Sequence, residues 1–280
     1  MRVRRSLAFR RVQSQPTLHC KRTTAFRSGQ GDMARRRPHR TWSDRIHLQV
    51  AALQARFARG RLRPHGEFFD YPPHQTAAEE RVNAWTHAIA ALASFMGMVW
   101  LVVTASRHAG LLMGFGCLLY GGSLTAVFAM SALSHFARPP RLRHLFRTLD
   151  QASIYLLTAG SFTPYFLRYL VPQGWDWMLP VLWGAALLLA WDKVRGERVN
   201  SVSIPSHVAL ALFPFLATRP MVSVMPAGCL WLVTTAILCY LVGLLFLVWD
   251  HRGRYLHAVW HILVMIASGC TFAGVALYLV

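Results

Sequence analysis

His257-Ala258-Val259-Trp260-His261 sets two imidazoles one helical turn apart, at the start of a segment that is otherwise apolar to the C-terminus. Residues at i and i+4 share a helix face, so both rings can reach a single metal ion. An imidazole is costly to place in hydrocarbon, which makes an intramembrane histidine a functional-site hypothesis by default. Two nitrogens do not complete a coordination shell, so partners have to come from other elements.

The rest of the chain says which elements those are. Of its 280 residues, 54% are hydrophobic and only 15% charged, and its mean hydropathy is +0.33, the profile of an all-α polytopic membrane protein. Seven apolar stretches, roughly 85 to 105, 109 to 134, 149 to 170, 176 to 191, 201 to 218, 226 to 249 and 256 to 280, come near the ~20 residues that cross hydrocarbon as a helix. The fourth and fifth are short and contain Pro180, Pro205 and Pro214, so their limits are the least defined.

Charge orients this seven-helix bundle. The segments after the second, fourth and sixth stretches hold Arg138, Arg141, Arg143, Arg147, Lys193, Arg195, Arg198, Arg252 and Arg254, whereas the other three hold only Arg107, Arg168 and Arg219. By the positive-inside rule the N-terminus is cytoplasmic and the C-terminus outside. The net charge of +19 has the same origin: 18 of the 30 Lys and Arg precede Ala84 and most of the rest lie in short loops. That placement argues against a nucleic-acid surface. The five cysteines, Cys20, Cys117, Cys229, Cys239 and Cys270, form no CxxC pair and read as reduced, packed apolar residues.

Residues 1–78 form a basic, largely disordered cytoplasmic arm ahead of a membrane domain at 79–280. The first 31 residues lack any acid, so they are either a transit peptide or a leader upstream of a true start at Met33. Within 44–60, Ile46, Val50, Leu53 and Phe57 follow helical spacing among Arg45, Arg56 and Arg59; the segment is either an amphipathic helix on an anionic membrane face or a solvated one.

With this topology, distant residues meet at the cytoplasmic end. Ser131 and His135 close the second stretch, Asp150 opens the third, and His257 and His261 open the seventh. Three neutral imidazoles bind Zn²⁺ and leave a fourth position for water, the pattern of catalytic rather than structural zinc. Asp150 is then the general base and Ser131 a donor to a substrate carbonyl or its oxyanion. Glu80, Asn83 and His87, at i, i+3 and i+7, share one face at the same depth. They either orient the ligands from behind or form a helix cap and interfacial anchor. His74 and His144 fall in polar segments, and His207 is expected to bond to a neighbouring helix.

Three motifs resemble those of the hemolysin III proteins, which group with the progestin and adipoQ receptors and, more distantly, with alkaline ceramidases. Glu79-Glu80-Arg81-Val82-Asn83-Ala84-Trp85-Thr86-His87 is similar to the family's first motif. Ser131 to His135, followed by Leu149-Asp150 through Ala159-Gly160-Ser161-Phe162-Thr163-Pro164, is similar to its central block, and His257 to His261 to its last. The resemblance spans about residues 79–280. It implies seven helices, a cytoplasmic N-terminus and zinc on His135, His257 and His261, with Asp150 and Ser131 nearby. Gln151 departs from the pattern, since many relatives have a histidine there.

The leading expectation is a zinc-dependent hydrolase of a lipid amide or ester at the cytoplasmic leaflet of a bacterial inner membrane, with membrane lipids as its partners. The alternative is a receptor-like or pore-forming, haemolytic protein with structural zinc. The oligomeric partners stay open.

Overall fold

The computed structural model describes residues 75–195 and 204–280. The expectations for residues 1–74, including the amphipathic segment at 44–60, Met33, Cys20 and His74, lie outside the described residues, as does Arg198. Among the described residues all regular structure is helical: α1 (Ala77–His108), α2 (Leu111–Phe136), α3 (Pro140–Tyr165), α4 (Met178–Arg195), α5 (Ile204–Leu212), α6 (Thr218–Val224), α7 (Ala227–Val248) and α8 (Leu256–Tyr278).

Five of these segments are long and apolar enough to cross a membrane: α1, α2, the α5–α6 unit Ile204–Val224, α7 and α8. Large apolar side chains face outward from them, among them Met96 at 63%, Leu111 at 80% and Trp231 at 74% exposure. Such a surface suits lipid rather than water, and the chain is an integral membrane protein. The other two expected spans differ in composition. α3 carries Arg141, Arg143, Arg147 and Asp150 in its first half, and α4 ends on Asp192, Lys193 and Arg195.

Local chemistry sets the helix limits. α1 starts at Ala77, ahead of the expected 85, because Thr76 and Glu79 form a capping box: Glu79 N–H donates to Thr76 Oγ1 at 3.3 Å and Thr76 N–H to Glu79 Oε2 at 2.8 Å. Pro164, which has no N–H to donate, precedes a π turn at Phe166–Leu170. The fifth expected span is broken, since Pro214 falls in a 3-10 turn, Phe213–Ala217, that separates α5 from α6.

α1 packs along α2, α2 along α3, α3 along α4 and α7 along α8, and α8 also meets α1 and α3. Small residues permit the close approaches. A Cβ on Gly121 would come 2.5 Å from Met98 Cβ on α1, and one on Gly160 of α3 would come 3.0 Å from the Leu119 carbonyl of α2. Hydrogen bonds pin the interior to α8: Tyr120 Oη donates to the Ser268 carbonyl at 3.3 Å and Tyr165 Oη to the Thr271 carbonyl at 3.1 Å. The four described cysteines are free. α2 and α8 present broad buried faces, and these two helices carry the histidines.

Candidate metal centre

His135 lies in the last turn of α2, and His257 and His261 lie in the first two turns of α8. One ring nitrogen from each comes within 4.8 Å of the others; this is the metal-competent cluster of His, Cys, Asp and Glu among the described residues. The ring centroids stand 5.5 Å apart for His135 and His257, 5.2 Å for His135 and His261, and 4.5 Å for His257 and His261. Successive turns of α8 give the short pair, as the i, i+4 spacing requires, and α2 arrives from the opposite side.

Two of the three rings are held by carboxylates. His135 Nδ1 lies 2.8 Å from Glu80 Oε2, and Arg143 Nη2 donates to the other oxygen of Glu80 at 2.8 Å. One side chain on α1 thus ties α2 to α3. His257 Nδ1 lies 3.2 Å from Asp250 Oδ2, in the 3-10 turn Asp250–Arg252 that joins α7 to α8. An Nδ1–H given to a carboxylate leaves Nε2 as the lone-pair nitrogen, the arrangement found behind metal-bound histidines. Burial alone would raise the Asp250 carboxyl, but the hydrogen bond from His257 and the nearby histidine charges outweigh it and hold the group below its ordinary value.

His261 is built differently. It is 2% exposed, its Nδ1 has no hydrogen-bond partner, and its ring stacks on His87 at 3.6 Å between centroids. Neither nitrogen of His87 has a hydrogen-bond partner, and the ring also meets Phe128 edge-on. Buried nitrogens without partners are expensive. Three imidazoles gathered at one point, two of them backed by carboxylates, fit a divalent cation of borderline softness.

The other sequence candidates are distributed around this cluster. Ser131, one turn before His135 on α2, neighbours Asp150 of α3. Asp150 stands outside the three-histidine cluster. Asn83 is buried, donates through Nδ2 to Gln75 Oε1 at 3.0 Å and leaves Oδ1 without a partner. His207 stacks on Tyr155 at 3.8 Å and meets the Gln151 carbonyl oxygen at 3.3 Å, contacts that cross from α5 to α3.

Two carboxylates with clear positions here had no role assigned from the sequence. Asp250 is one; the signal for it was that it is the last acidic residue of the chain, seven positions before His257. Glu79 is the other: besides capping α1, it accepts the Tyr255 N–H at 2.7 Å through Oε1. Tyr255 is the residue before α8 and sits in the left-handed region at φ 60°, a conformation uncommon outside glycine. The neighbouring acids Glu79 and Glu80 therefore run from the start of α1 to the two histidine-bearing helices, one to each.

Residues 75–272 match the family model described as Haemolysin-III related. The chain is 30% identical over 206 residues to Hemolysin-3 of Bacillus cereus, covering 73% of this chain and 93% of the relative. It is 25% identical over 206 residues to the Hemolysin-3 homolog of Bacillus subtilis (strain 168), covering 73% of this chain and 96% of that relative.

Proposed function

The chain belongs to the haemolysin-III related family, and from that premise we propose that it is a zinc-dependent hydrolase of a lipid amide or ester, working at the cytoplasmic leaflet of a bacterial inner membrane. The observation that carries this reading is the three-histidine cluster, two of whose rings are backed by carboxylates. Three neutral nitrogens leave room in a four-coordinate shell, as at catalytic rather than structural zinc. In this reading residues 1–78 are a cytoplasmic arm and 79–280 the seven-span domain. α3 and α4 complete the seven: at 1.5 Å per residue they are roughly 39 and 27 Å long, the first beyond the ~30 Å core and the second near its lower limit for a spanning helix. The metal end then faces the cytoplasm with the N-terminus, and the C-terminus lies outside.

His135, His257 and His261 would hold the zinc, which when bound would supply Lewis acidity toward an acyl carbonyl and toward water. The chain's own groups do the rest. Asp150 accepts the proton of the attacking water and returns it to the departing amine or alcohol as the C–N or C–O bond breaks. Ser131, beside Asp150, turns its single O–H to the developing oxyanion. Glu80 holds His135 in one orientation, and His87 packs against His261.

The test is a hydrolysis panel of ceramides, N-acyl lipids and phospholipid esters with zinc-loaded protein in detergent. Asp150→Asn and Ser131→Ala are expected to keep zinc and lose activity, the serine variant by roughly 10²–10³-fold. Wild-type protein that carries zinc yet turns over no member of the panel, or unchanged turnover in both variants, overturns the hydrolase reading. The second reading, a pore-forming or receptor-like protein whose metal only ties α2 to α8, draws on the relatives' printed name and would then take its place.

A further inference from the structure

We propose that Asp250 is the positioning residue for His257, the group that fixes which nitrogen of that ring faces the metal; the inference rests on the zinc reading above. A neutral imidazole has two tautomers, and only the one with its proton on Nδ1 presents Nε2 as a ligand. Among the described residues no ring stacks on His257 as His87 stacks on His261; His257 meets His135 and His261 edge-on. The polar partner of its Nδ1 is Asp250 Oδ2 at 3.2 Å. A carboxylate accepts and cannot donate, so it admits the Nδ1–H tautomer alone and makes the opposite nitrogen more basic.

The local fold is arranged to bring that carboxylate back over α8. Trp249 N–H closes α7 onto the Leu245 and Leu247 carbonyls. Arg252 N–H donates to the Trp249 carbonyl at 2.8 Å, which tightens the turn carrying Asp250. The chain then extends through Gly253 at φ −160° and turns at Tyr255, whose N–H is fixed by Glu79. The other oxygen of Asp250 lies 4.0 Å from His251 Nδ1.

The test uses purified full-length protein and measures zinc affinity by chelator competition alongside thermal unfolding of the metal-free protein. Asp250→Ala should weaken zinc about 10- to 100-fold, the usual cost of losing such a partner, with the metal-free unfolding temperature unchanged. Asp250→Asn, whose amide oxygen still accepts but whose charge is gone, should fall between wild type and Asp250→Ala. It keeps the test available if the alanine variant fails to fold. In cobalt-loaded protein the visible bands should shift in Asp250→Asn and not in Arg252→Ala, a neighbour in the same turn. Affinity within twofold of wild type in both Asp250 variants overturns the proposal, as does a loss of affinity matched by an equal loss of metal-free stability. Wild-type protein that binds no zinc overturns the underlying reading, and this inference with it, and is told apart by its stoichiometry.

Discussion

His135 and His257 face the same point from opposite sides, and their supports are of two kinds. The His135 side chain is 3% exposed and its support is helical: Glu80 on α1, itself 18% exposed, held in turn by Arg143 on α3. The His257 side chain is 18% exposed and Asp250 33%, and that support comes from a three-residue turn between helices. Removing one member of the first arrangement strands two charged or polar groups at a three-helix junction. Removing one member of the second exposes a loop to water. The helical brace is therefore expected to matter for folding and metal alike, and the loop brace for metal alone.

The largest expected effect comes from removing a histidine of either arm outright. His135→Ala, His257→Ala and His261→Ala each leave two nitrogen ligands where three are needed, so each purified variant should lose stoichiometric zinc when its metal content is measured. If His257→Ala alone keeps its metal, the loop arm is not part of the site, and the contrast reduces to a single histidine pair on α2 and α8.

A smaller effect should distinguish the arms by stability. Glu80→Ala leaves Arg143 and His135 without their common partner, a loss of about 1–3 kcal/mol for a partly buried hydrogen-bonded group. Its metal-free unfolding temperature should fall measurably while that of Asp250→Ala stays put. Equal unfolding temperatures in the two variants would mean that burial and helical support do not separate the arms.

The difference between the arms also explains what the sequence made legible. Glu80 was visible because it shares a helical face with Asn83 and His87 and heads a motif, and His135 because Ser131-x-x-x-His135 closes an apolar run at the same end as His257 and His261. Helical period and the alternation of basic loops carry that information locally. Asp250 lies in a loop, where no period relates residue number to direction, and its pairing with His257 depends on the 3-10 turn and the positive φ of Tyr255. The double duty of Glu79, cap for α1 and acceptor for Tyr255 N–H across 176 positions, is a contact that only the assembled bundle makes. The same limit applies to Asn83: its place on the Glu80 face was readable, its bond to Gln75 was not. The fifth span shows the converse, since Pro205 and Pro214 announced irregularity without saying that the break would fall at Phe213–Ala217.

The third histidine of the cluster has neither kind of brace, and the smallest expected effect concerns it. His261 is backed by a stacked ring, His87 at 3.6 Å, instead of a carboxylate, and His87 is itself outside the metal-competent cluster. Stacking needs a flat ring and no nitrogen, and aromatic contacts of this kind contribute about 0.5–1.5 kcal/mol beyond burial. His87→Phe keeps the ring and, with it, the contact to Phe128, while removing two buried nitrogens that have no hydrogen-bond partners. Zinc affinity by chelator competition should stay close to wild type, and the metal-free protein should be no less stable. His87→Ala, which removes the ring, should weaken zinc more than His87→Phe does. A large loss of zinc in His87→Phe would instead make His87 a ligand or a hydrogen-bonding partner of the metal site, and the third arm would have to be rebuilt around its nitrogens.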